Sequence, residues 1–172
     1  MFLQSNTNQE ERQLYYALPR LLGGNMSRRI AREYAIQFLF SLDFNKTDDV
    51  EKQLEDFLLH TQEFREEEDS VLNKSSKSYT LDIVKGTLQH IEEIDKLIEF
   101  HTTGWKFERI ARVDLAIIRL AIYEIVFNNE VPDSVATNEA IELAKKYSTE
   151  ESGSFVNGVL GKIIRGKGEQ GK

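Results

Sequence analysis

Apolar residues recur at helical spacing along this chain from residue 27 onward, and this spacing limits the folds that the chain can adopt. Leu81, Val84 and Leu88, for example, fall on one face of a helix. Pro132 is the only proline after residue 19, and no stretch alternates apolar and polar residues as a half-buried strand does. The sequence therefore predicts an all-α fold of about seven helices. The predicted helices span residues 28–43, 48–64, 78–101, 107–112, 113–128, 134–147 and 151–165.

Short sequence signals mark several helix ends. Gly104 is typical of a helix stop, and Pro132 followed by Asp133 is typical of a helix start. Residues 148–151 read Ser-Thr-Glu-Glu, which has the form of a capping box and should open the last helix. The polar residues 65–77 are expected to form a loop.

The two ends of the chain differ in composition from the rest. Residues 1–25 are rich in Gln and Asn and show no sustained helical period, so we expect an extension outside the domain or a natural start at Met26. Residues 26–165 are predicted to form the helical domain. Residues 166–172 are rich in Gly and Lys and are predicted to form a flexible basic tail.

Composition excludes several classes of protein. The 172 residues contain no cysteine, which rules out disulfides, thiolate metal sites and cysteine catalysis, and suits a reducing cytoplasm. The most apolar run, residues 113–127, is interrupted by Asp114, Arg119 and Glu124 and is too short to cross a bilayer. We expect a cytoplasmic protein that does not insert into a membrane.

Charge is strongly segregated along the chain. Residues 43–69 hold eleven acidic and three basic residues, so this segment carries a net charge of −8. Because the whole chain carries −7, the remainder carries +1. A protein with this distribution can present a basic surface to nucleic acid despite its acidic total.

Three arginines lie at the start of the first predicted helix: Arg28, Arg29 and Arg32. Cations in a first turn oppose the helix dipole, at a cost of about 0.3–1 kcal/mol each. They are favourable there if an anion such as phosphate binds to the helix N-terminus. The alternative is a solvated arginine cluster partly paired with Glu33, and the pattern alone leaves both interpretations open.

Two further positions of the helices stand out. Phe40 points away from the apolar face of the first helix, so either another helix covers it or it belongs to a partner surface. The helix predicted at 113–128 is apolar on all sides and should lie at the centre of the fold. Its charged residues Arg119 and Glu124 are expected to form internal salt bridges, and Asp114 suits the helix dipole.

No catalytic constellation emerges from the sequence. The three histidines lack metal-ligand spacing, and Glu139 with Glu142 is typical of a solvated helix face. Residues 161–167 match G-x-x-x-x-G-K, but Gly168 replaces the Ser or Thr of a phosphate-binding loop and no strand precedes the motif. We therefore do not expect an enzyme.

Three segments together are specific to one known family. They read SRRIARE at residues 27–33, RVDLAIIRLAIYE at residues 112–124, and VPDSVATNEAIELAK at residues 131–145 followed by FVNGVL at residues 155–160. This pattern resembles the NusB family of bacterial transcription antitermination factors over about residues 27–164. One departure is Ile30, where some members carry an arginine.

The resemblance implies a fold of two packed three-helix bundles with an extra short helix. From the residue patterns above we expect no cofactor and no metal. It implies binding of the single-stranded boxA element of nascent ribosomal RNA, as a heterodimer with the ribosomal protein NusE on elongating RNA polymerase. The RNA-binding residues that it implies are Arg28, Arg29, Arg32, Asp114, Glu151, Ser152 and Phe155, and the NusE-facing residues are Phe40, Gln37 and Asp114.

A second class of function stays open at this point. NusB-like domains also occur fused to ribosomal RNA methyltransferases, but no nucleotide-binding βαβ unit follows here. The chain could therefore be a protein-interaction adaptor that does not use RNA. Family members occur as monomers and dimers, so a homodimer is also compatible with the sequence.

Overall fold

The computed structural model describes residues 28–45, 48–63, 74–102, 104, 106–128 and 130–170. Within these ranges the chain forms seven α-helices and no strand, which confirms the predicted fold class. The chain divides into two compact units, Met1–Leu81 and Asp82–Lys172. The helices are α1 (Arg28–Leu42), α2 (Val50–Glu63), α3 (Lys74–Gln89), α4 (Ile91–His101), α5 (Arg112–Ile122), α6 (Asp133–Tyr147) and α7 (Glu150–Gln170).

The first unit is built on aromatic packing between α1 and α2. The ring of Phe57 on α2 meets Tyr34 edge-on at 6.3 Å and Phe38 at 5.7 Å between centroids. These three rings are almost fully buried, together with Leu54 and Leu58 of α2. Aromatic contacts of this kind add about 0.5–1.5 kcal/mol each to the burial of apolar area.

Helix α5 is the buried centre of the second unit, as predicted from its apolar circumference. Ile117, Ile118 and Ile122 are essentially inaccessible to solvent, and α5 packs against α4, α6 and α7. Arg119 forms the predicted internal salt bridge, since its Nε and Nη2 each donate a 2.8 Å hydrogen bond to the carboxylate of Asp95 on α4. This bidentate ion pair neutralises the charge of Arg119, and both of its residues belong to the second unit.

The helix predicted at residues 78–101 is in fact two helices. Helix α3 ends at Gln89 and α4 begins at Ile91, with the intervening His90 in a non-helical conformation (φ −106°, ψ 14°). The imidazole of His90 stacks on Phe127 at 4.1 Å and contacts Glu93 through Nδ1 at 3.0 Å. No Gly or Pro marks this break in the sequence, so periodicity alone could not detect it. Helix α3 also begins at Lys74, inside the predicted loop.

The segments before and after α5 also differ from the predicted α-helices. Residues 107–109 form only a single 3₁₀ turn rather than a helix to residue 112. After Ile122 the helix continues as a π-helical segment, Tyr123–Phe127. A Cβ atom on Gly86 would overlap the ring of Tyr123, the first residue of this segment, so the absence of a side chain on α3 leaves the space that the ring fills.

The start of α7 is capped by a different residue from the one predicted. The backbone N–H of Ser152 donates to Oγ1 of Thr149 at 3.1 Å, so Thr149, rather than Ser148, is the N-cap. Since the third residue after this N-cap is Ser152 rather than Glu or Gln, the predicted capping box is not formed, and Thr149 caps the helix through its own hydroxyl.

The end of α7 corrects the predicted tail. The helix runs to Gln170, so residues 166–170 are helical, and the phosphate-loop-like motif at 161–167 lies inside the same helix. Lys167 donates a 2.6 Å hydrogen bond to the carbonyl of Ile125 in the π segment and lies 3.3 Å from Asp133. A cation near carbonyls left open by a helix end is favourable. Residues 171–172 and the predicted extension 1–25 lie outside the described residues.

The close contact at Gly86 predicts opposite effects for two glycine substitutions. Gly86→Ala should lower the free energy of unfolding by about 1–3 kcal/mol, because the new methyl group displaces the Tyr123 ring. The matched control Gly158→Ala should raise it by about 0.5–1 kcal/mol, because a methyl group on that helical glycine would meet no atom within 4 Å. Denaturant unfolding measures both changes, and an equally stabilised Gly86→Ala variant would contradict the packing described here.

Candidate nucleic-acid interface

The N-terminus of α1 presents two exposed arginines. Arg28 and Arg29 occupy the first turn, and this turn contains no acidic residue. The N–H groups at a helix start and the helix dipole both favour an anion at this position. The two guanidinium groups and the helix terminus therefore act in the same direction, toward binding of phosphate.

Arg32, the third arginine predicted to bind RNA, is buried, unlike Arg28 and Arg29. It is only 4% exposed, and its Nη2 donates a 3.1 Å hydrogen bond to the hydroxyl of Tyr79 on α3. The guanidinium groups of Arg28 and Arg32 lie 5.1 and 5.7 Å from the centre of the Tyr79 ring. Arg32 thus holds the Tyr79 ring in the position where the guanidinium of Arg28 packs on it. The buried Arg32 therefore supports the exposed Arg28. The helical pattern of α1 gave no signal for Tyr79.

The predicted partner residues of α1 also differ in accessibility. Gln37 is 5% exposed, and neither polar atom of its amide has a hydrogen-bond partner among the described residues. Phe40 is half-buried, and its ring packs on Phe44 at 5.2 Å. Phe44 is 41% exposed, so the apolar surface at this end of α1 is formed by the pair Phe40 and Phe44. Phe44 was missed because it lies in the turn after the helix.

In the second unit the structure joins two predicted RNA-binding residues. Ser152 Oγ donates a 2.8 Å hydrogen bond to Oδ2 of Asp114, although the residues are 38 positions apart in the chain. Ser152 Oγ also lies 2.9 Å from Ser148 Oγ and 3.2 Å from Thr149 Oγ1. Asp114 is 5% exposed, and its Oδ1 has no partner among the described residues. The pair ties the first turn of α5 to the first turn of α7.

Glu151 and Phe155 flank this buried pair on α7. Glu151 is exposed and Phe155 is half-buried. Since Glu151 and Phe155 are four residues apart on one helix, their side chains share a face. The predicted residues of the second unit therefore separate into two accessible side chains and a buried hydrogen-bonded pair that positions them.

The Asp114–Ser152 contact predicts a specific loss of stability. Ser152→Ala should lower the free energy of unfolding by about 1–3 kcal/mol, because it removes the donor that the buried carboxylate of Asp114 requires. Ser154→Ala, at an exposed serine on the same helix, is the control and should change it by less than about 0.5 kcal/mol. Denaturant unfolding distinguishes the two, and equal effects of both substitutions would refute the assigned hydrogen bond.

Two other kinds of site are not seen in the described part of the chain. No group of three or more His, Asp or Glu side chains there could hold a metal ion. None of the described helices is long and apolar enough to cross a membrane.

The described residues thus define an all-α protein with exposed arginines at the positive end of its first helix. The sequence model of the NusB family matches residues 29–165, and the chain belongs to this family. The transcription antitermination protein NusB of Acetivibrio thermocellus is 48% identical over 142 residues, which cover 83% of this chain and 91% of that protein. The protein of the same name from Symbiobacterium thermophilum is 46% identical over 147 residues, covering 85% of this chain and 95% of the relative.

Solved structures agree with this assignment. A crystal structure of the antitermination factors NusB and NusE in complex with double-stranded RNA is similar with a TM-score of 0.69 and 27% identity, covering 81% of this chain and 96% of that one. NusB of T. maritima is similar with a TM-score of 0.64 and 32% identity, covering 83% of this chain and 93% of that one.

Proposed function

We propose that this chain is a transcription antitermination factor that binds boxA-type single-stranded RNA in nascent ribosomal transcripts, as a heterodimer with NusE. The observation that carries the proposal is the match over residues 29–165 to the NusB family, together with likeness to a NusB–NusE complex with RNA. The pair would act within an antitermination complex on RNA polymerase, in the cytoplasm. This role requires binding and positioning, so no enzymatic activity is proposed.

Arg28 and Arg29 are the proposed phosphate ligands. Both are exposed and lie in the first turn of α1, where the helix dipole adds to their attraction for an anion. Contacts to phosphate position an RNA strand, whereas contacts to base edges give sequence preference. Two such contacts on a chain of net charge −7 give a modest affinity that depends on salt.

The first turn of α7 is the proposed base-reading element. The exposed carboxylate of Glu151 can accept a hydrogen bond from a base amino group, and the half-buried ring of Phe155 can stack on a base through its open side. The hydrogen bond between Ser152 and Asp114 fixes this turn against α5, so the two side chains are held in place before RNA binds. In this proposal Glu151 and Phe155 contact the RNA bases, whereas Asp114 and Ser152 hold these two side chains in position.

The pair Phe40 and Phe44 is the proposed contact for NusE. Its rings pack against each other, and Phe44 remains 41% exposed in the isolated chain. An exposed aromatic ring packed on a half-buried one at the end of a helix is compatible with a protein interface, where aromatic residues are enriched. NusE bound there would add its own contacts to RNA and raise the affinity of the complex.

Removal of the two arginines tests the RNA-binding surface. Arg28→Gln with Arg29→Gln should weaken binding of a fluorescent boxA RNA about tenfold, or about 1.4 kcal/mol, because two phosphate contacts are lost. The slope of log K against log salt should become less negative by about 1.4, since each contact to a single strand contributes about −0.7. Anisotropy in a salt series, with and without NusE, measures both quantities.

Two controls show whether the effect depends on the site of the lost charge and on the RNA sequence. Lys52→Gln removes an exposed charge from α2 and should leave affinity and salt slope unchanged. A scrambled RNA should bind more weakly than boxA to the unaltered protein. If the double arginine variant binds boxA as tightly as the unaltered protein, the arginine assignment is wrong, and if boxA and scrambled RNA never differ, the chain is an adaptor that does not read RNA.

A further inference from the structure

The C-terminal half of α7 carries a basic surface that none of the functions described so far uses. Its residues 160–170 contain the three basic residues Lys162, Arg165 and Lys167 and one acidic residue, Glu169, within a chain of net charge −7. Lys167 is engaged with the carbonyl of Ile125. Lys162 and Arg165 are both exposed, and neither forms an ion pair with another described residue. Lys162 and Arg165 therefore present positive charge to solvent at this part of α7.

An exposed aromatic ring lies at the end of α4, one residue before the carbonyl group that Lys162 contacts. Phe100, at the end of α4, is 74% exposed, the largest exposure among the large apolar residues of the described chain. Its ring contacts His101 edge-on at 5.0 Å, and Lys162 donates a 3.1 Å hydrogen bond to the carbonyl of His101. The end of α4 is thus held against α7 next to Lys162, with the Phe100 ring turned toward solvent.

The attraction of this surface for anions rests on Lys162 and Arg165 rather than on His101. Burial, and in second place the nearby ammonium of Lys162, lower the pKa of the His101 imidazole below its ordinary value of 6.5. Both effects disfavour the charged form of His101.

The same surface is continuous with the proposed base-reading element at the start of α7. Lys162 follows Phe155 by seven residues, which places both on one line along the helix, about 10 Å apart at a rise of about 1.5 Å per residue. Between them lies Gly158, where a Cβ atom would meet no other atom within 4 Å, so the helix surface is low enough for a polymer backbone to lie close.

We propose that Phe100, Lys162 and Arg165 form a second RNA contact, which binds single-stranded nucleotides that flank boxA. Phe100 stacks on a base, while Lys162 and Arg165 contact phosphates, a combination that binds single strands with little sequence preference. Charge complementarity points to RNA, because its phosphate backbone matches the two exposed cations Lys162 and Arg165. The inference rests on the proposed function, since it extends the path of the RNA that boxA recognition brings to the chain.

The test compares boxA core RNA with the same RNA extended by flanking single-stranded nucleotides at the 5′ or the 3′ end. For the unaltered protein with NusE, one extension should raise the affinity. Phe100→Ala should remove about fivefold of that gain, the lower end for one stacked base, and Arg165→Gln should make the salt slope for the extended RNA less negative by about 0.7. Neither variant should change binding of the core RNA. Leu59→Ala, which trims an exposed apolar side chain on α2, is the control.

A fluorescent base analogue placed in the extension reports stacking directly. Its emission should be quenched on binding to the unaltered protein and restored in Phe100→Ala, which a merely structural role of Phe100 would not produce. The inference is overturned if the core binds but neither extension adds affinity, or if Phe100→Ala changes only self-association or the binding of NusE. If the core RNA itself does not bind, the proposed function fails as well, and the two failures are thereby distinguished.

Discussion

The burial of α5 from Asp114 to Ile122, where only Arg119 is half-buried, determines how the second unit is assembled. A helix that is buried on nearly all sides must place each of its charged residues against a partner or at its ends. Arg119 meets this requirement through the carboxylate of Asp95, and Asp114 meets it through Ser152 at the positive end of the helix. The two contacts connect α5 to α4 and α7. The hydrogen bond that compensates the burial of Asp114 therefore also sets the position of the first turn of α7.

A similar coupling of stability and binding operates at the start of α1. A first turn with two exposed arginines and no acid is unfavourable for the helix alone. The buried guanidinium of Arg32 binds the hydroxyl of Tyr79, and the ring of Tyr79 packs against Arg28 in this turn. The arrangement keeps positive charge at a helix terminus, which is useful only when an anion binds. We infer that the first turn gives up a small amount of stability in exchange for phosphate binding.

Patterns that depend on neighbouring residues were predictable from the sequence. The helical class, the central position of α5 and the internal pairing of Arg119 follow from spacing and from the cost of burying charge. The resemblance to the NusB family is confirmed by the family match, whereas the roles of the individual site residues stay predictions. The features that the sequence did not reveal depend on contacts between distant residues. The break at His90 is associated with stacking on Phe127, and Arg32 is buried because Tyr79, 47 residues later, accepts its hydrogen bond.

Hydrogen–deuterium exchange of the complex with NusE, measured with and without boxA RNA, shows whether RNA binds to the first turns of α1 and α7. We expect additional protection by RNA at the amides that follow Arg28 and at those that follow Thr149. Helix α2 should change little, because its exposed face is acidic. Protection by NusE alone, with no further change when boxA RNA is added, would contradict binding of RNA at these two turns.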